Sequence, residues 1–183
     1  RLGSGAFSTT ANVTSNAPGN YATDDLVFGS PQLANNGNMA NSTRLFFDKS
    51  KGAFRAGTVF GVQWDDPNVG VSSVAFGYNN TASGENAMAW GFNSLASAIN
   101  ATAWGNGDAT APSATAWADA TASGAGATAF GGNCVASGQS ATAFGARTTA
   151  SNNYATAWGL FSRASGTGAT AGGLSALASG SYT

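Results

Sequence analysis

Residues 73–86 read SVAFGYNNTASGEN, and residues 87–100 read AMAWGFNSLASAIN. Six further segments of the same design follow, to residue 182. Each runs small-x-Ala-aromatic-Gly, then a short variable turn, then Ala-Ser-Gly or a close variant. A fixed short period marks a stacked, quasi-one-dimensional architecture. The alternation inside each segment is that of a strand, whose successive side chains point to opposite faces. In Ala-Thr-Ala-Trp-Gly the two alanines share one face, and the threonine and tryptophan share the other. Across the eight coils the first and third positions hold fifteen alanines and one serine, Ser73. A face restricted to such small groups must abut a close partner. The nearest candidate is the Ala-Ser-Gly strand of the same coil, whose alanine recurs at 82, 96, 109, 122, 136, 150, 164 and 178. Each coil therefore reads as a flattened two-strand roll. Its thin internal core comprises Ala75, Ala89, Ala103, Ala116, Ala129, Ala143, Ala157 and Ala171.

The opposite face carries a ladder: Phe76, Trp90, Trp104, Trp117, Phe130, Phe144 and Trp158, ended by Gly172. Valine, methionine and then six threonines stand beside it. Each ring can bury about 150–250 Å², so in a single roll this stripe approaches or exceeds about 1,000 Å² facing water. Monomers rarely expose contiguous apolar patches beyond a few hundred Å². The expectation is that these seven aromatics form a core shared between chains. Two coils are 13 residues long, and both deletions lie between the glycine position and the invariant alanine. Turns tolerate such changes while strands keep register. At about 4.7–4.9 Å per stacked strand, eight coils make a rod on the order of 40 Å long.

Charge divides the chain. Of the 183 residues only 8% are charged, with seven basic and eight acidic side chains. Ten of these fifteen precede Ser73. Nothing resembles the basic patch that nucleic-acid binding requires. Residues 1–23 are polar and read as an extended lead-in. Residues 24–72 read as a small β-rich region with strand-like runs at Leu26–Phe28, Arg44–Phe47, Ala53–Ala56 and Thr58–Trp64. Turns are expected at 49–52 and 65–68. Residues 73–183 are the eight-coil roll. No apolar run approaches the roughly 20 residues of a membrane-spanning helix. No signal peptide is visible at Arg1, and Thr183 falls where a ninth coil would begin. The first leaves either a mature chain that starts at Arg1 or a piece of a longer protein, and the second favours the piece.

The motif Ser73-Val74-Ala75-Phe76-Gly77 followed by Thr81-Ala82-Ser83-Gly84 resembles the YadA-like head of trimeric autotransporter adhesins. The resemblance covers residues 73–183. It implies an all-β, left-handed parallel β-roll assembled as a homotrimer, with the hydrophobic positions facing the threefold axis. It also implies an extracellular, cell-surface location. Residues 48–57 with Gln63-Trp64-Asp65-Asp66 are similar to a segment found ahead of such heads in bacterial surface and tail-fibre-like proteins. The chain departs from the adhesin pattern in lacking stalk heptads and an anchoring strand series, and in favouring Trp and Phe where aliphatic residues are usual.

Chemistry finds little purchase. Histidine is absent and Cys134 is the sole cysteine, so neither a triad base nor a zinc ligand set is present. Cys134 reads as lying in a variable turn. The pairs Asp24-Asp25 and Asp65-Asp66 read as turns or solvated edges, because neighbours on a strand face opposite ways. Only Asp108 and Asp119 occur in the coils, too few for a calcium-binding repeat. Lys49, Lys51 and Arg55 read as a solvated surface, or as an ion pair with Asp48. The N-x-S/T triplets at Asn12, Asn41, Asn79 and Asn100 read as chance. No catalytic residue, metal or cofactor is expected. The expected partners are further copies of the chain and a surface ligand or receptor that the residues do not name. The leading expectation is a non-enzymatic adhesin head segment attaching to host or environmental surfaces. The alternative is a bacteriophage tail fibre or spike. An ice-binding solenoid, suggested by the threonine column, is disfavoured because bulky rings share that face.

Overall fold

A computed structural model describes residues 26–28 and 42–183. The chain forms an all-β parallel solenoid of eight coils. The lead-in 1–23 and the pair Asp24-Asp25 lie outside the described residues. Strands β1 (Leu26–Phe28), β2 (Thr43–Asp48) and β3 (Ala53–Thr58) open one sheet, and β4 (Val74–Tyr78) begins the coils. β1 to β2 and β2 to β3 are antiparallel. The β2–β3 hairpin turns at residues 49–52, as the Lys-Ser-Lys-Gly sequence predicts. β3 then pairs with β4 in parallel, so this sheet runs on into the repeat. It reaches eleven strands, and the short strands Thr81–Ala82 through Leu177–Ala178 form a second sheet of eight. Inside each coil the second strand is the residue before the alanine plus the alanine, rather than Ala-Ser-Gly.

Like residues stack on like. Ala75 pairs with Ala89 and Phe76 with Trp90, and the register holds to the last coil, where Ala157 pairs with Ala171. The inward alanines of the long strands are 0% exposed from Ala75 to Ala157 and 3% at Ala171. They meet the alanines of the short strands, which are also fully buried from Ala82 to Ala164. Coil-to-coil ladders such as Thr102 N–H to Ala114 C=O at 2.9 Å satisfy the backbone. Each coil bends at two left-handed corners. Asparagine, the non-glycine residue most tolerant of that conformation, holds many of them, including Asn79 and Asn93 on one edge and Asn86 and Asn100 on the other. Glycine is required just before the first corner. Gly145 sits at φ +123°, and an added Cβ would lie 2.1 Å from the Gly159 carbonyl oxygen.

The run Thr58–Trp64 is not one strand: only Thr58 belongs to β3, and residues 59–64 are irregular. The reason is topological. β3 and β4 are parallel neighbours, so the chain must return to the starting end of the sheet before β4 begins. An extended 58–64 would carry it away. The loop instead brings Trp64 to the mouth of the roll, where it is fully buried and its indole N–H donates to the Asn80 carbonyl at 2.8 Å. A 3₁₀ turn at Asp66–Asn68 follows.

Arg55 is not on the surface. Its register partner is Ala75, which places it at the head of the inward alanine column. There it is 0% exposed. The first coil has no coil above it to fill its mouth, and the long side chain occupies that space. The guanidinium donates to the Phe54 and Ser73 carbonyls, both at 2.9 Å, to Ser73 Oγ at 2.7 Å and to the Ala82 carbonyl at 2.9 Å. Burial lowers its pKa to about 10, opposed by the charge of Asp48. Lys51 pairs with Asp66 rather than with Asp48. Phe46 packs edge-on against Trp64, and Arg44 lies over both rings with Asp65 at 3.9 Å. Solenoids need such terminal caps because an end coil has a neighbour on one side only.

Two outcomes are expected. Ala129→Leu adds volume at a fully buried position, and overpacking of this kind costs about 1–3 kcal/mol or more. Its thermal midpoint by circular dichroism should fall by several degrees; an unchanged midpoint contradicts the thin core. Arg55→Ala strips four charge-assisted hydrogen bonds from the mouth of the roll. It should destabilise by about 3 kcal/mol, with amide exchange rising first in coil one and least in coil eight.

Candidate assembly surface

The long-strand sheet presents three parallel columns outward. The first precedes the ladder: Val74, Met88 and then threonine in every later coil. The second is the ladder itself. The third lies just beyond the glycine bend: Tyr78, Phe92, Gly132, Ala146, Leu160 and Leu174, with no member in the two 13-residue coils. There the long strands shorten from five residues to three, Thr102–Trp104 and Thr115–Trp117.

The rings of the ladder contact one another in series from Phe76 to Phe144. Centroids are 5.3 Å apart from Phe76 to Trp90, 5.1 Å from Trp90 to Trp104 and 4.7 Å from Trp104 to Trp117. Successive indole planes are parallel to within 2°. Trp117 to Phe130 is tilted at 5.4 Å, and Phe130 stacks on Phe144 at 5.3 Å. Offset stacking of this kind contributes about 0.5–1.5 kcal/mol per pair beyond area burial. Phe54 on β3 extends the ladder upward, 5.2 Å from Phe76. At the far end the Trp158 ring folds over Gly172, where an added Cβ would fall 2.1 Å from the indole. That close approach is why the ladder ends on a glycine.

Stacking covers ring faces and leaves the outward edges open. Phe76, Trp104 and Trp117 are half-buried, whereas Phe144 remains 53% exposed and Trp158 50%. Seven rings at roughly two-fifths exposure leave on the order of 500 Å². Exposed Met88, Tyr78, Phe92, Leu160 and Leu174 on the flanks enlarge the patch further. Mutual stacking makes the ladder's own share smaller than isolated rings would give. The patch as a whole still matches the roughly 800 Å² per partner of a standard interface. In the single chain the indole N–H groups of Trp104 and Trp117 are shielded from solvent and have no acceptor.

Two features of this face escape a reading by alternation. The third column begins with its own aromatic stack, Phe60 against Tyr78 at 5.4 Å and Tyr78 against Phe92 at 5.3 Å. Its signal is the bulky residue that recurs after the glycine. The other is a polar column at the inner corner of the coil: Asn80, Ser94, Cys134, Thr148 and Ser162, all buried. These side chains satisfy backbone carbonyls at the bend. Asn80 donates to Phe76 O and Gly91 O, Ser94 to Trp90 O at 2.8 Å, and Ser162 to Gly173 O at 2.8 Å. Cys134 therefore lies inside the roll rather than in an open turn. Its sulfur is 3.2 Å from the Gly145 carbonyl and accepts from the Thr148 hydroxyl at 3.1 Å.

The acidic residues are dispersed. Asp65 faces Arg44, and Asp66 pairs with Lys51. Burial, and then the neighbouring charge of Asp119, raises the Asp108 carboxyl above its usual range. Among the described residues no group of three or more His, Cys, Asp or Glu side chains comes together. What this surface offers is an ordered apolar stripe on a rigid in-register sheet, suited to burial against another surface.

The family model for the YadA head domain repeat matches residues 69–94, 82–107 and 136–162. No curated protein matches the chain. In Gly172→Ala the methyl group displaces the Trp158 ring. The expected result is a red shift and a gain in the most exposed component of tryptophan emission, with the coil fold retained by circular dichroism. An emission spectrum identical to the parent chain would contradict the ring placement.

Proposed function

We propose that this solenoid, whose residues 69–94, 82–107 and 136–162 match the YadA head repeat, is one third of a left-handed β-roll homotrimer. In this reading the ladder Phe76–Trp158 faces the threefold axis and the alanine column stays inside each roll. Residues 73–183 form the head, and residues 24–72 form a small β-rich unit that leads into it and closes its mouth. The assembled rod acts outside the cell as a surface-attached adhesin head, without catalysis. The observation that carries this reading is the stacked aromatic stripe left uncovered by its own chain. Attachment falls to what remains outside: the corner turns and the short-strand sheet, with its exposed Ser83, Ser97, Ser123 and Ser137. Three identical chains present each weak contact three times, so avidity supplies the strength.

Trp117→Asp places three carboxylates together at a buried axis, where uncompensated charge is strongly destabilising. The expected outcome is loss of the assembled species in size-exclusion chromatography, whereas Glu85→Gln at an outer turn leaves it unchanged. For attachment, beads coated with the protein should be retained on matrix-coated or abiotic surfaces more than beads carrying an unrelated rod of equal length. Equal retention across all surfaces removes the adhesive role and leaves a spacer.

A further inference from the structure

The two flanking columns of the outward face change together over the first six coils. The first column is apolar only at Val74 and Met88, in the coils whose third-column members are the aromatics Tyr78 and Phe92. It becomes threonine where the third column is empty, at Thr102 and Thr115, and stays threonine beside Gly132 and Ala146 and, in the last two coils, beside Leu160 and Leu174. Within one chain these columns do not meet. Four residues of extended strand hold them roughly 13 Å apart, with the ladder between. Over the first six coils, a match in size and polarity between groups that never touch in one chain is explained by contact between chains. In a ring of parallel rods equal coils stand at equal height. Each interface there is heterologous, one flank of a copy meeting the opposite flank of the next.

The empty stretch has a shape. Beside Trp104 and Trp117, with Gly105 and Ala118 at its floor, a groove of about 510 Å³ opens between Trp90 and Phe130. It exists because both 13-residue coils lack the residue that would fill it. An apolar void of this size left inside an assembled core would forfeit contacts on every wall.

We infer that Thr102 and Thr115 of one copy seat in this groove of the next copy, while Val74 and Met88 pack on that copy's Tyr78 and Phe92. The inference rests on the trimer reading and adds which flank meets which. It also gives the two short coils a task. Coils that repeat about every 4.8 Å offer almost equivalent alignments one step apart. A slip of one copy by one coil would press Met88 against the groove at one of its interfaces and set Thr102 on Phe92 at the other. The notch therefore works as a key that fixes the axial register of the chains.

The test is site-directed cross-linking of Thr115→Cys/Ala118→Cys in a Cys134→Ala background. Alanine already occupies the corresponding inner position at Ala120. The two new thiols are three extended residues apart, beyond the reach of a disulfide within one chain. Oxidation, or a short bis-maleimide, should shift most of the chain to covalent dimer and trimer on a denaturing gel. Neither single variant should shift. Thr156→Cys/Leu160→Cys applies the same test in coil seven, away from the groove, and should give the same ladder. A native mass is taken on each sample before cross-linking. A trimeric mass with no cross-link from either pair overturns the flank pairing and leaves the trimer standing. So does an efficient cross-link from Thr115→Cys alone. A monomeric mass for the parent chain overturns the trimer itself.

Discussion

Everything in this molecule follows from how closely the two strands of a coil approach each other. The gap admits one methyl group from each side, so alanine occupies both walls from Ala75 and Ala82 onward. A core of methyl groups buries little area per residue, and at about 25 cal/mol per Å² it contributes modestly per coil. The large apolar side chains have no room inside. They stand on the outer face of the long-strand sheet, where in-register stacking turns single residues into columns. A thin core thus exports its hydrophobicity, and a solenoid built this way gains its main apolar burial from what covers that face.

The same constraint explains the special residues. Where the chain bends out of the narrow sheet it needs left-handed corners and glycine. The carbonyls exposed by the bend are met from inside by small polar groups such as Ser94 and Ser162. At the mouth of the roll the column has no next coil, and Arg55 with Trp64 fills it. The buried guanidinium survives there because four acceptors surround it. Toward the other end the ladder stops where Gly172 makes room for the Trp158 ring.

The repeat and its two faces are legible in the residues because stacking is in register: a column in space is a column in the aligned coils. Ala75 to Ala171 and Phe76 to Trp158 could be read off directly for that reason. Strict alternation fails where the backbone leaves the strand. The glycine bend, near φ +100° at Gly91 and Gly159, redirects the residue after it. The Tyr78–Phe92 stack, signalled in the residues only by a bulky group after the glycine, and the inward turn of Cys134 therefore escape a reading by alternation. Arg55 was misleading for a different reason: a charged residue inside a strand-like run reads as surface, and only its register with Ala75 reveals a cap. Thr58–Trp64 has strand composition, but the parallel return to β4 forbids it from being one.

The central claim is that the aromatic ladder is a core shared by three chains. The most direct measurement is the native mass of the folded protein in dilute solution. The account predicts a single species of about 54 kDa, three times the 18.0 kDa chain, persisting on dilution. A stable folded monomer of 18.0 kDa, with its tryptophans accessible to a soluble quencher, would contradict it.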